Sequence, residues 1–396
     1  MICRRHDGAR VVDAVRVLKH LEDAKKDMDT GIMMPGVYPV ESCEQFLRLG
    51  EQIGTSTVWV PDHMLGAFHP DIWPDEPYAE VTPDSDGYFD PFCLLAALGQ
   101  QTPLALGISV TDSVRRKAVD VVRSALTVHH LSRGGLYLGV GSGEAESLLP
   151  FGYPFDKPVG RFEAFLRELR HILDTGEVPG DGCGRIGLPL ESEHGKPKIW
   201  VAGHGPRMLR LTGQYGDGWL PAWRMSPAEY AEKRDRIAQH AREADREPPI
   251  SGLLAPIAIG ESRAQLFDYF DENPLSKLAA IFIPGERWEH HGLEHPAGRE
   301  SRGMIDVIVH DLDPEELRAL APRIPFELIE EFYFIGSPTE LYEHLAAYGH
   351  AGCEHMELGI MMNPLAGEDG LEQNVIALKE LQSRLAEIES PAPRSP

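Results

Sequence analysis

Basic residues, paired cysteines and long apolar runs are all scarce in this 396-residue chain, and each scarcity closes off a class of protein. Lys and Arg number 38 against 62 Asp and Glu, a formal charge of −24, and no basic cluster interleaved with aromatics offsets the surplus. So acidic a surface repels a phosphate backbone, which argues against a nucleic-acid partner. The longest apolar stretches are strand-length and fall short of the roughly 18 residues that a membrane helix needs, so a soluble chain without a membrane span is expected. Cys3, Cys43, Cys93, Cys183 and Cys353 are odd in number, far apart and without CxxC spacing. That pattern argues for reduced thiols in a cytosolic protein rather than a disulfide framework. No Gly-x-Ser-x-Gly elbow, no Walker loop and no Cys beside a His at a strand end is present, which disfavours hydrolase and nucleotide-hydrolysing chemistry.

What is present is a regular alternation. Residues 1–28 carry Val11, Val15, Leu18 and Leu21 at helical spacing among many charges and are expected to be a flexible extension without the apolar core of a secretory signal. From Gly31 onward, short β-branched runs alternate with amphipathic segments. Candidate strands are 31–34, 57–60, 104–110, 136–140, 199–202, 218–221, 250–259 and 355–361, and candidate helices include 43–53, 118–131, 161–173, 206–214 and 227–242. Eight strands with intervening helices imply parallel βαβ units, and a closed (β/α)8 TIM barrel over residues 29–390 is the simplest account. A doubly wound open sheet would place a phosphate-binding glycine loop after its first strand, where this chain has Met34-Pro35-Gly36-Val37-Tyr38. Two insertions interrupt the alternation, near 65–91 and near 271–325. The first mixes Phe68, Trp73, Tyr78, Tyr88 and Phe89 with prolines and acids, as in a lid at a barrel mouth or an aromatic-pinned surface loop.

Four strand ends carry the chemistry-bearing residues. Val58-Trp59-Val60 runs out into Pro61-Asp62-His63, a titratable pair where a buried strand ends; a capped turn or a catalytic pair would both explain it. The third strand ends in Ser109-Val110-Thr111-Asp112 and the fourth in Gly141-Ser142-Gly143-Glu144. Those glycines would let a flat ring approach the backbone with a carboxylate beside it, or simply make a tight turn into a helix. The fifth ends in Gly203-His204-Gly205-Pro206-Arg207, where the free N–H groups of a helix start, with an arginine in the first turn, would suit a phosphate. In a barrel all four ends face one mouth.

A further spacing points elsewhere. His291-Gly292-Leu293-Glu294-His295 matches the inverted zinc-protease pattern, which needs both histidines on one helix face. Gly292 within it and Pro296 after it break such a helix, so no metal is expected. Phe92, Leu95 and Leu98 form an apolar face that would serve either a homodimer or the barrel's own packing.

The strand ends, together with Arg115-Arg116, Lys157 to Phe162 and Gly285 to Gly298, resemble the bacterial luciferase-like superfamily over nearly all of residues 30–385. Within it the resemblance is to the coenzyme F420-dependent oxidoreductases, and among those to the phthiodiolone ketoreductase group. The resemblance implies a non-proline cis peptide at Ser109-Val110 against the central ring of the deazaflavin. It also implies a ring-side site at Thr111, Gly141, Ser142, Gly143 and Glu144, and a phosphate turn at Gly203, His204, Gly205, Pro206 and Arg207. His63 would be the proton-transfer residue, Asp62 its orienter and Glu144 a second proton site. The implied reaction is hydride transfer between reduced F420 and a ketone or secondary alcohol. An FMN-dependent monooxygenase and a non-catalytic flavin-binding protein are the alternatives. Sugar-phosphate-oxidising relatives carry a Trp four residues beyond the histidine, where this chain has Ala67 and then Phe68. With only Trp223-Arg224 basic at the expected mouth, an apolar, lipid- or polyketide-like carbonyl substrate fits better.

Overall fold

The structure, a computed structural model, describes residues 28–180, 184–222, 224–360 and 368–388. The 1–27 part of the expected extension, together with Cys3, Cys183 and Trp223, lies outside the described residues. The chain's short, largely buried runs form β1 (Asp29–Met33), β2 (Thr57–Val60), β3 (Ala105–Asp112), β4 (Leu136–Gly141), β5 (Lys198–Val201), β6 (Gly218–Trp219), β7 (Ile250–Ile259), β8 (Phe334–Gly336) and β9 (His355–Ile360). β1 to β7 follow one another around a parallel ring that β9 closes between β7 and β1. These eight are the strands expected from the sequence, and the closed (β/α)8 barrel follows. β8 is additional: its Phe334 and Ile335 pair with Ile257 and Ala258 at the outgoing end of β7. At three residues it is too short to register as a periodic pattern.

Helices line the outside with their apolar stripes inward. The Ala118–Leu131 helix buries Val121, Val122, Ala125 and Leu126, the i, i+3, i+4 spacing of a core-facing stripe. Phe92, Leu95 and Leu98 are likewise buried in the chain's own core. The barrel interior is packed by large rings set against glycines. A Cβ on Gly107 would lie 2.2 Å from Trp59, and one on Gly218 would lie 2.3 Å from Trp200. Trp59, Tyr137, Trp200 and His355 form one aromatic layer there, with centroids 5.2–6.4 Å apart.

The two insertions build a second hydrophobic core beyond the C-terminal ends of the strands. Phe68 and Ile72 from the first pack with Phe270, Leu278, Trp288 and Phe326 from the second. Polar contacts fasten the same junction: the Ser276 hydroxyl donates to Glu76 at 3.0 Å, and His310 pairs with Asp86 at 2.9 Å. Burial pushes the Glu76 carboxyl up to about 7. Most of the aromatics of residues 65–91 therefore pin the loop down, and Tyr88 is the one whose ring meets His63, with centroids 5.5 Å apart.

Candidate active site

β2 delivers its end to the barrel mouth, and the geometry there divides the Asp62-His63 pair. Asp62 is buried, and its carboxylate is held by Arg115 at 3.1 Å and Arg116 at 2.7 Å. Arg115 is also bound by Asp112, and Arg116 reaches Asp90 at 2.7 Å. The contact expected of Asp62 is instead made by Glu146, whose Oε1 lies 2.6 Å from His63 Nδ1, with Glu144 Oε2 at 3.8 Å. Asp62 thus anchors the loop behind the histidine, and Glu146 orients the ring.

Glu146 was not singled out in the sequence, although it sits two residues beyond Glu144. It is the second residue of a short helix, Ala145–Leu148, whose turn brings the side chain back to His63. The Ser147 hydroxyl accepts from Met64 N–H at 3.2 Å and so ties the two loops together. Arg115 and Arg116 were visible as a pair, but that both clasp Asp62 is a tertiary fact.

Charge accounts for the acid–base properties of this group. Burial alone pulls the His63 ring down, but the carboxylates of Glu146, Glu144 and Asp62 outweigh it and push the ring up to about 9. Glu144 is pushed up to about 7 by burial, with His63 opposing and Glu146 reinforcing the rise. Glu144 titrates in concert with its surroundings, so the protons at the mouth belong to the group rather than to one side chain. The ligand-type atoms of His63, Glu144 and Glu146 lie within 4.8 Å of one another, so the only grouping of this kind among the described residues is here. The His291–His295 spacing gathers nothing similar: His291 pairs with Glu331 at 2.7 Å, and His295 bonds the Ile281 carbonyl at 2.9 Å.

Beside this group, the Ser109-Val110 peptide is cis, and the β3–β4 register shifts between Ile108 and Thr111. The glycines of β4 make room for that bulge rather than directly for a ligand. A Cβ at Gly139 would lie 2.8 Å from Val110, and one at Gly141 would lie 3.0 Å from it. Gly143 adopts φ +90°, which turns the chain so that Glu144 enters the mouth. Ser109 and Val110 are half-buried and form part of the mouth's floor.

The fifth strand end behaves as a helix start. Gly205 caps the Pro206–Tyr215 helix, so the N–H groups of Arg207 and Met208 have no intrahelical acceptor. The Arg207 guanidinium bonds Glu163 at 2.9 and 2.5 Å, while burial pushes His204 down to about 3 and keeps it neutral. At the opposite side of the mouth, Arg224 bonds the Glu330 and Tyr333 carbonyls and stacks on Phe334, which leaves it a structural rather than a substrate-facing cation.

Breaking the Asp62 clasp tests its structural role. Asp62→Ala leaves two largely buried guanidiniums short of a partner, a loss of the order of 3 kcal/mol. Thermal unfolding should show a lowered midpoint, and an unchanged midpoint would contradict the assignment.

A parallel (β/α)8 barrel with a bulged third strand and a histidine–carboxylate group at its mouth has the build of a barrel enzyme, and known proteins narrow the class. Residues 27–355 match the family model described as luciferase-like monooxygenase, and the chain belongs to that family. It is 33% identical over 329 residues to the phthiodiolone/phenolphthiodiolone dimycocerosates ketoreductase of Mycobacterium tuberculosis, covering 79% of this chain and 86% of the relative. Among solved structures, an F420-dependent secondary alcohol dehydrogenase in complex with an F420-acetone adduct superposes with TM-score 0.66 at 19% identity, covering 91% of this chain and 99% of the other. EDTA monooxygenase from Chelativorans superposes with TM-score 0.64 at 14% identity, covering 93% and 96%. The chain is an oxidoreductase similar to the ketoreductases. Among the described residues no helix is long and apolar enough to cross a membrane.

Proposed function

We propose that this enzyme uses coenzyme F420 to interconvert an apolar ketone and its secondary alcohol. The observation that carries the proposal is the 2.6 Å contact between His63 Nδ1 and Glu146, which holds a protonated imidazole at the barrel mouth beside the Ser109-Val110 bulge. The ketoreductase relatives support the reaction, and the F420-dependent dehydrogenase among the fold neighbours supports the choice of cofactor.

The residues present fit a flat ring with a phosphate tail. Ser109 and Val110 offer a floor with the buried Thr111 and Gly141 behind them, while Ser142 and Gly143 offer backbone along one edge. The Gly203-His204-Gly205-Pro206-Arg207 turn offers backbone N–H groups to the phosphate at the start of a ten-residue helix. When bound, the reduced deazaflavin supplies the hydride that a carbonyl carbon accepts. His63 holds the proton that the carbonyl oxygen needs. Its Nδ1 is engaged by Glu146, and Nε2 has no hydrogen-bond partner among the described residues, in a side chain 31% exposed. In the alcohol-oxidising direction the same nitrogen, deprotonated, accepts the hydroxyl proton. Glu144, poised near neutrality, is a second proton-exchanging group beside His63. The Tyr88 ring packs beside His63, and the engagement of Arg224 with backbone carbonyls favours an uncharged, hydrophobic carbonyl compound.

The test is anaerobic titration of the purified protein with F420 and with FMN, followed by mixing the reduced F420 complex with a series of hydrophobic ketones. F420 binding and ketone-dependent oxidation of the reduced cofactor are expected. Tight FMN binding with no affinity for F420 would overturn the proposal and favour the monooxygenase alternative.

A further inference from the structure

Glu357 is a carboxylic acid inside the barrel that the chemistry above does not use. It lies on β9, completely buried, two residues nearer the mouth than His355 of the aromatic layer. One oxygen accepts a 2.7 Å hydrogen bond from the Ser109 hydroxyl, and the other is buried without a partner. Its cross-strand neighbours are Gly31 on β1 and Leu254 on β7, neither of which carries charge. The titratable side chain closest along its own strand is His355, which is occupied with Thr57 and Trp59. With only Ser109 to stabilise a charge, burial pushes the Glu357 carboxyl up to about 8, so near neutrality it is protonated.

Such a residue is expensive for the fold. At pH 7 an unfolded glutamate is ionised, whereas this one must take up a proton and bury a polar atom unpaired. A leucine of similar size, like Leu254 beside it, would avoid both penalties. Stability therefore does not account for a glutamate here, and its single partner is a residue of the mouth's floor.

We propose that Glu357 is a positioning residue for the cofactor: through Ser109 it sets the height and polarity of the floor on which the flat ring rests. This rests on the proposed placement of the F420 ring over Ser109 and Val110. A neutral carboxyl is compatible with an electron-rich reduced ring above it, and an ionised one is not. The wild-type protein should accordingly bind reduced F420 less tightly as pH rises through about 8.

The experiment measures dissociation constants for oxidised and reduced F420 across pH 6.5–9.5 for the wild type, Glu357→Gln and Glu357→Leu, with thermal unfolding of each. Glu357→Gln keeps an acceptor for Ser109 but cannot ionise, so it should bind near the wild-type level at pH 7 and lose the alkaline weakening. Glu357→Leu should weaken binding by about tenfold, the worth of one hydrogen bond, while unfolding at a higher temperature at pH 9. Wild-type affinity and pH dependence in both variants would overturn the inference. If Glu357→Leu fails to fold, the pH curve of Glu357→Gln decides alone: an alkaline loss matching the wild type refutes the role. A wild type that binds no F420 refutes the cofactor proposal and this inference with it, whereas a wild type that binds but is insensitive to Glu357 refutes this inference only.

Discussion

His63→Ala lowers the turnover of ketone reduction by about 10²–10⁴-fold, the usual worth of a positioned general acid. The effect falls on the chemical step, because the side chain supplies the proton and contributes no strand backbone to the cofactor floor. Rapid mixing of the reduced F420 complex with ketone measures that step, and equilibrium titration measures cofactor affinity, which should stay within about twofold of the wild type. Equal losses in both would mean that His63 serves mainly to shape the pocket. His63→Gln, which retains a hydrogen-bonding group near Glu146 but carries no proton to transfer, should be as slow as His63→Ala.

Glu146→Gln moves the pH profile. In the wild type, Glu146 is the foremost of the carboxylates that push His63 up to about 9, so the acid form survives through neutrality and reduction declines as pH rises through about 9. With the carboxylate removed, burial pulls the ring down with less opposition, and the decline begins at lower pH. For a shift of two units, the variant at pH 9 would retain about a hundredth of the protonated histidine that its own acid limb provides. Rates of ketone reduction between pH 5.5 and 10 locate both limbs. An alkaline limb that stays near 9 in Glu146→Gln would show that another group sets the His63 charge. The oxidation direction needs the deprotonated ring, so the same variant should oxidise alcohols better than the wild type at neutral pH.

Much of the scaffold was legible because period and length are local properties. All eight ring strands followed from short apolar runs, and the helix over Ala118–Leu131 from its stripe. β8 escaped because three residues carry no period, and its place is set by pairing with β7. The insertions were legible as interruptions, but not as one shared core, since Phe68 and Phe326 come together only when the chain folds. At the site, His63 and Glu144 were identifiable from their places at strand ends. Assigning Asp62 as the orienter followed sequence adjacency, yet neighbours along a turn point in different directions, and the Arg115–Arg116 pair captures Asp62 from behind.

The order of apolar and polar residues by itself determined that this chain is an acidic βα-alternating protein whose chemistry-bearing residues sit where strands stop. Hydrophobic periodicity reports which face of each element is buried, and strand ends are set by where it ceases. Tertiary structure alone decided which carboxylate meets His63, why Gly139 and Gly141 are needed beside Val110, and that Glu357 reaches Ser109 from the far side of the barrel. The two side-chain contacts among these, His63 with Glu146 and Ser109 with Glu357, join residues 83 and 248 positions apart, and pKa values follow from distance and burial rather than from order along the chain.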